Sequence, residues 1–406
     1  MVDHTDNDGK AETPKTVRRT ALTRLPDDAE RYICRFDPTA RRELRRLIRQ
    51  SVRFLDLAKV FPGAAYLIAA RCRPRDQRTL AQDQIIEGAA LRTVAKTLDI
   101  PLWLRRLPPE AFSTPDLKLP SGEAFTRRIA ARLPGHACDT AFWLQTLSFA
   151  NEACSEDFAL WLAEQQIYDM RGEPSKLFAI FSAYAWHSTQ AAGSPAHDLI
   201  VVPWRPEIAF DTALCAAKSW LNRLRLVIQL GSGVISDPWL DQGASGHFDF
   251  VALTDQHEIL EEAQAMQNCA DQYADRLARD KCRLFSIRRG HHRIATLEIG
   301  PHPREAGVLA ITQLKARHNM PASIEVWQAA HAWLASQTGL KRLQSVVGPE
   351  RPFNNRLWNE MFEPYREATG GAPWITRKTD QAAFLHMDAS LADLAKRGGV
   401  TSWLFT

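Results

Sequence analysis

The sequence of 406 residues lacks any uninterrupted apolar run that approaches the ~18 residues typical of a membrane-spanning helix. Residues 1–20 are polar and charged, and they lack the apolar core of a signal peptide. We therefore expect no transmembrane helix, no secretory signal and no membrane partner.

Cysteine is scarce and scattered. The seven cysteines form no Cys-x-x-Cys pair and their number is odd, so a disulfide framework is not expected and a cytoplasmic location is favoured. P-loop, GxGxxG, HExxH, GxSxG and zinc-ribbon patterns are also missing. Their absence disfavours ATP-driven, dinucleotide-dependent and zinc-protease activities. We expect neither a cofactor nor a metal.

The composition is that of a globular protein, with 45% hydrophobic and 24% charged residues. Charge is unevenly distributed: residues 1–120 carry 23 Lys and Arg against 16 Asp and Glu, and the remainder carries 28 against 31. A basic N-terminal part suggests a polyanionic partner such as nucleic acid. A solvated basic surface without a ligand is the interpretation that we favour, for example on the Arg-rich helix predicted to follow Asp37.

The pattern along the chain predicts an α+β protein that is predominantly helical. We expect a disordered tail (1–25), a helical region (26–235), a small antiparallel-sheet-plus-helices domain (236–340) and a C-terminal helical extension (341–406). The border near 235 follows from a cluster of turn-forming Gly, Asp and Pro residues. Trp103, in a proline-rich connection, is expected to anchor packing.

The third of these regions contains the motifs with chemical potential. Residues 248–253 are predicted to form a strand, and Thr254 or Asp255 to cap the following helix, with Glu258 reaching back to the cap. If that helix is unbroken, Glu262, Met266, Cys269 and Tyr273 lie along one stripe.

A hairpin is predicted next, with strands on either side of the four-residue loop 289–292. Alternation places Leu284, Ser286 and Arg288 on one face, and residues 294, 296 and 298 on a shared face. The segment 307–314 is a candidate third strand. Gln313 in this strand and Lys315 just after it are two residues apart, so they are expected on the same face. A closing helix is expected from Pro321 to near residue 339.

These elements resemble the PcfJ-like family of bacterial proteins. The resemblance rests on an ordered set of residues spread over about 75 positions: Glu262, Met266, Cys269, Tyr273, Ser286-Ile287-Arg288, Thr296-Leu297-Glu298-Ile299, Gln313, Lys315 and Asn319. Two positions depart from the family's usual pattern, with Asn268 in place of a His and Ala316 in place of a Gly. The resemblance implies an association with mobile elements, and no biochemical activity is established for the family.

One hypothesis for function is an enzyme of unknown reaction whose pocket is formed by Cys269, Arg288, Glu298, Gln313 and Asn319. Cys269 is then a nucleophile, and the Arg and carboxamide side chains bind an anionic substrate or an oxyanion. The alternative is that Cys269 is a small buried core residue. Neighbouring strands also permit an Arg288–Glu298 ion pair, which is either structural or functional.

The other hypothesis, which the sequence favours, is a nucleic-acid-binding accessory protein of a mobile element. Its basic hairpin supplies Arg283, Arg289, His291 and Arg293, and Lys315 adds further positive charge. Binding of this kind depends on phosphate neutralisation and weakens as salt rises. The same residues are also typical of a solvated hairpin tip. The sequence predicts neither a substrate nor an oligomeric state.

Overall fold

The computed structural model describes residues 25–114, 117–165, 172–231, 235, 237–337, 352–372, 374–402 and 404. The predicted disordered tail therefore lies outside the described residues, apart from its last position. The described chain is mostly helical and contains one antiparallel sheet, which confirms the predicted α+β class. None of the described helices is long and apolar enough to cross a membrane.

The chain divides into two compact units, with the border between Gln145 and Thr146. This border lies inside the predicted helical region 26–235. The predicted borders at 235 and 340 stay predictions, and residues 338–351 lie outside the described residues.

The first unit is helical. Its elements are α1 (Asp27–Ile33), α2 (Pro38–Gln50), α3 (Arg53–Val60), α4 (Pro62–Ala69), α5 (Arg75–Glu87), α6 (Leu91–Thr97), α7 (Glu123–Ile129) and the beginning of α8 (Ala137–Ala153), with 3₁₀ turns at Leu102–Arg106 and Pro109–Ala111. Asp37 caps α2 by accepting a hydrogen bond from the Thr39 N–H, as its position predicts. Trp103 is buried and donates to the Pro120 carbonyl, so it is a packing anchor.

The second unit contains the sheet and the remaining helices. The helices are α9 (Glu156–Glu164), α10 (Pro174–Ser188), α11 (Phe210–Leu230), α12 (Gln256–Met266), α13 (Ala274–Ala278), α14 (Ile324–Ala335), α15 (Asn355–Ala368) and α16 (Gln381–Arg397). The strands are β1 (Gly243–Ser245), β2 (Phe248–Ala252), β3 (Arg283–Arg289), β4 (His292–Pro301) and β5 (Leu309–Ala316), and each pairs antiparallel with the next.

The sheet is a five-stranded meander, larger than the hairpin or three-stranded sheet that the sequence predicts. β1 and β2 extend it because β2 pairs with β3 as well as with β1. One face is apolar and packs against α14, where Trp333 stacks on Phe250 at 4.5 Å and meets Phe285 edge-on at 5.0 Å. Such aromatic pairs add to the stabilisation from area burial alone.

The opposite face is covered by α12, a 3₁₀ turn at Ala270–Gln272, and α13. Asp255 caps α12, and the Glu258 carboxylate accepts from the Thr254 N–H at 2.7 Å, which confirms the predicted start of the helix. Helix α11 supports these elements from behind, since Leu226 and Leu230 share an apolar cluster with them.

Helix α12 does not extend to Cys269. It ends at Met266 because Gln267 adopts a left-handed conformation (φ 48°) and the Asn268 N–H returns to the Ala263 carbonyl at 3.2 Å. The condition of an unbroken helix is therefore not met, and Cys269 lies in the turn between α12 and α13. The turn places Tyr273 close to the sheet, although the predicted stripe along one unbroken helix does not form.

Candidate functional site

The face of the sheet that lies towards α12 and α13 is polar along its centre. Ser286 on β3 pairs with Thr296 on β4, which pairs with Lys315 on β5. Glu298 pairs with Gln313 one repeat further along. Because side chains alternate along a strand, these five residues share one face, which we call the polar face.

A β-bulge on β4 changes what reaches this face near the hairpin tip. The register shifts after Ile287, so that Arg288 pairs with Arg293 and Ile294 is the extra residue. Ile294 packs against the apolar core. The prediction that it shares a face with Thr296 is therefore wrong, because the inserted residue reverses the alternation of the strand.

A second bulge, on β5, adds a hydroxyl beside Glu298. The register shifts between Glu298 and Ile299, which leaves Thr312 as the extra residue. The Thr312 hydroxyl donates to Glu298 Oε1 at 2.5 Å. Gly300 makes room for this arrangement, since a Cβ at that position would lie 2.9 Å from Thr312 Cγ2.

Glu298 is held by several donors at once. Its side chain is 4% exposed, and it accepts from the Tyr273 hydroxyl at 2.8 Å and from Arg276 Nη1 at 3.0 Å. Arg276 Nη2 contacts the other carboxylate oxygen, and its guanidinium lies over the Tyr273 ring at 5.2 Å. Both carboxylate oxygens of Glu298 therefore accept hydrogen bonds, and Glu298 fixes the positions of the side chains that donate to it.

Tyr273 connects Glu298 to Gln313. Its hydroxyl lies 2.8 Å from Glu298 Oε2 and 2.8 Å from Gln313 Oε1. Burial raises the pKa of the Tyr273 phenol, and the neighbouring Glu298 raises it further. The phenol is therefore protonated at physiological pH, and its single O–H is shared between these two acceptor oxygens.

A second polar cluster lies nearer the hairpin tip and is centred on Glu262, which is fully buried. The Thr296 hydroxyl donates to Glu262 Oε1 at 2.7 Å and accepts from Asn268 Nδ2 at 2.7 Å. Arg293 Nε lies 3.0 Å from Glu262 Oε2. Burial raises the pKa of Glu262, against the hydrogen bonds from Thr296 and Ser286.

A small cavity lies between the two clusters, with a volume of about 20 Å³. This is room for about one water molecule or one ligand atom. The residues that line it are Asn268, Cys269, Ala270, Tyr273, Leu284, Thr296, Glu298, Gln313, Lys315 and Asn319. We call it the Cys269 cavity.

The Cys269 thiol is half-buried and donates to Asn319 Oδ1 at 3.7 Å. Burial raises the pKa of this thiol, although its own main-chain N–H and the Lys315 ammonium act in the opposite direction. The thiol is therefore protonated at neutral pH. The cause of the raised pKa is desolvation, not a missing positive charge.

Asn319 reaches the thiol from an unusual turn. His318 (φ 60°) and Asn319 (φ 57°) are consecutive left-handed residues, a conformation that Asn and His tolerate better than most side chains. The turn is closed by the hydrogen bond from the Ala316 N–H to the Met320 carbonyl at 2.8 Å. This backbone directs the Asn319 carboxamide towards Cys269.

Lys315 and Asn319 present donors that are not used inside the protein. Among the described residues, no carboxylate lies within ion-pair distance of the Lys315 ammonium, and no acceptor meets Asn319 Nδ2. Arg276, by contrast, neutralises Glu298. Lys315 is therefore the positive charge that remains available at the cavity.

A buried ion pair holds the turn that carries Cys269. Asp271 Oδ2 lies 3.3 Å from Arg223 Nε on α11, and both side chains are buried. Burial raises the pKa of Asp271 to about 6, against the effect of Arg223. On this side of the turn lies a larger groove of about 1140 Å³, and Asn268 lines both the groove and the Cys269 cavity.

The structure brings together four of the five residues predicted for a catalytic pocket: Cys269, Glu298, Gln313 and Asn319. The fifth, Arg288, donates to the Ser286 hydroxyl at 3.1 Å and lies nearer the Glu262 cluster. The predicted Arg288–Glu298 pair is wrong because the register places Leu284 opposite Glu298, and Arg276 of α13 is its partner.

The residues predicted to bind nucleic acid are largely engaged within the protein. Arg283 is 5% exposed, donates to Asp280 and lies over the Trp239 ring, so it is not the exposed basic residue that the hairpin pattern suggests. Arg289 pairs with Glu325, and Arg293 pairs with Glu261 and Glu262. His291 is exposed at the tip, while Lys315 lines the Cys269 cavity.

Sequence reasoning missed three residues of the site. Arg276 follows Tyr273 by three positions, so helical spacing was a signal that could have linked the two. Asn268 appeared only as a departure from the PcfJ-like pattern. Thr312 carried no signal, because a bulge places it next to Glu298. Among the described residues, no group of three or more His, Cys, Asp and Glu side chains is arranged to hold a metal ion.

Comparison of the chain with protein-family models, with curated proteins and with solved structures finds no match. A proposal for function therefore depends on the geometry of the site and on the resemblance of its residues to the PcfJ-like pattern.

Proposed function

We propose that the protein is a PcfJ-like enzyme that acts on a small polar substrate at the Cys269 cavity. The observation that supports this most strongly is that residues distant in the chain meet at one cavity. Cys269 and Asn319 are 50 residues apart in the chain, yet they meet beside Lys315 and Gln313. These are residues of the PcfJ-like pattern, and the fold collects them at one opening.

The site divides into groups that contact substrate and groups that position them. Cys269, Lys315 and Asn319 are the contacting groups, because each is half-buried and lines the cavity. Glu298 and Tyr273 are positioning residues, since their polar atoms bind Arg276, Thr312 and Gln313.

Native proteins satisfy almost all of their buried polar atoms, and Glu298 and Tyr273 are satisfied in this way. The Lys315 ammonium and the Asn319 NH₂ are accessible at the cavity and meet no acceptor among the described residues. Donors left beside a thiol in a concave site are a pattern typical of substrate binding.

The proposal is tested by labelling the intact protein with a panel of small chloroacetamide fragments and quantifying each cysteine by peptide mass spectrometry. We expect some fragments to label Cys269 with a rate that saturates as concentration rises, because binding at the mouth of the cavity precedes reaction. Exposed Cys34 and Cys138 provide internal references and should show linear dependence. Cys269→Ser identifies the labelled peptide.

The proposal is overturned if Cys269 reacts with no fragment in the folded protein, or only with a linear dependence like that of Cys34. Either result would indicate that the thiol is part of the packing. The buried Cys282 thiol reports in the same samples whether the protein stays folded, since it reacts only after unfolding.

A nucleic-acid-binding accessory role is the weaker proposal. It requires several cations that are free to neutralise phosphates. The described ion pairs engage Arg283, Arg289 and Arg293 with carboxylates of the same chain. The association with mobile elements depends on the resemblance alone and stays part of the proposal.

A further inference from the structure

We infer that the Cys269 cavity binds an anionic oxygen, and that the substrate of the proposed enzyme carries a carboxylate next to its reacting carbon. This inference rests on the proposed function and adds a substrate class to it. It is based on the charges, the donors and the size of the cavity.

The balance of charge around the cavity favours an anion. Glu298 is the carboxylate in the wall, and Arg276 pairs with it through both guanidinium nitrogens. The positive charge of Lys315 has no such partner among the described residues. A partly enclosed ammonium attracts an anion more strongly than one in bulk water, because the local dielectric constant is lower.

The orientation of the hydrogen-bonding groups around the cavity also favours an anion. Asn319 Oδ1 is occupied by the Cys269 thiol, which leaves the NH₂ of that carboxamide for an acceptor. An incoming oxygen next to the sulfur therefore meets an ammonium and a carboxamide NH₂.

The volume limits what enters. The cavity has a volume of about 20 Å³, which accommodates one oxygen atom of a ligand whose remaining atoms stay at the mouth. A carboxylate can place one oxygen in the cavity while the carbon chain remains at the mouth. Because Lys is a compact point charge, it suits such a single oxygen without bidentate geometry.

The test compares iodoacetate with iodoacetamide, which alkylate thiols in the same way but differ in charge. Peptide mass spectrometry gives the ratio of the two rates at Cys269, with Cys34 and Cys138 as references in the same chain. We expect the ratio at Cys269 to exceed the references by roughly tenfold, which corresponds to the attraction of one partly screened charge. The ratio cancels any change in thiolate fraction, which affects both reagents equally.

Lys315→Met should bring this ratio down to that of the references, and Lys315→Arg should preserve most of it. Arg317→Met is the matched control, since Arg317 is exposed two residues further on and does not line the cavity. Sodium acetate should slow the reaction with iodoacetate in the wild-type protein and not in Lys315→Met.

Equal ratios at Cys269 and the references, or an unchanged ratio in Lys315→Met, would overturn the anion site. The proposed function would survive that result if the neutral fragments still label Cys269 with saturation. If no fragment and neither iodo reagent reacts at Cys269 in the folded chain, both proposals fail together.

Discussion

Trp333→Ala is expected to lower the free energy of unfolding of the second unit by about 3–5 kcal/mol. Trp333 is among the largest fully buried side chains, and it stacks on Phe250 and contacts Phe285 across the apolar face of the sheet. Removal of the indole leaves a cavity between α14 and three strands, because the sheet cannot collapse onto the helix without breaking its hydrogen bonds. Urea unfolding followed by circular dichroism measures the change.

Trp327→Ala on the same helix is the matched control. Trp327 is half-buried at the margin of this core, so its loss should cost about 1–2 kcal/mol. Comparable losses for the two variants would contradict the assignment of Trp333 to the centre of the core.

Glu298→Ala is the second substitution with a large expected effect, a loss of about 2–4 kcal/mol of unfolding free energy. The buried Tyr273 hydroxyl would lose an acceptor, and the Thr312 hydroxyl would lose its short contact. Arg276 adds less to the cost, because its side chain is 45% exposed and water can hydrate it. Chemical denaturation of the purified variant is the measurement.

Glu298→Gln separates shape from charge at the same position. Its carboxamide keeps an oxygen for Tyr273 and loses the charged pairing with Arg276, so we expect a loss of about 1 kcal/mol. If Glu298→Ala were as stable as the wild type, the hydrogen bonds to Glu298 would not stabilise the polar face. Cys269 labelling in Glu298→Gln reports whether the cavity keeps its form.

The sequence predicts the elements of this site well where they depend on interactions between residues close together in the chain. Asp255 precedes α12 with Glu258 three positions later, and this capping pattern acts within one turn of helix. The hairpin is predicted because Gly290 (φ 58°) supplies the left-handed residue that a tight turn needs. Gln313 and Lys315 share a face because alternation on β5 is regular between them.

The missed features depend on interactions between elements that are distant in the chain. The bulges at Ile294 and Thr312 follow from how three strands fit together, and neither residue signals an insertion by its type. The end of α12 at Met266 depends on a left-handed Gln267, which is an uncommon residue in that conformation. Arg276 binds Glu298 across 22 positions, whereas strand adjacency suggested Arg288.

The most direct test of the central claim is the pH dependence of Cys269 alkylation by iodoacetamide, measured in the wild type, Lys315→Met and Arg317→Met. Because burial raises the pKa of the Cys269 thiol, its alkylation rate should rise with a midpoint above the ~8.5 of an ordinary cysteine. Loss of the Lys315 charge should move the Cys269 midpoint to still higher pH, and Arg317→Met should leave it in place. A midpoint at the ordinary value, or one that Lys315→Met does not move, would contradict a site in which Lys315 faces the buried Cys269 thiol.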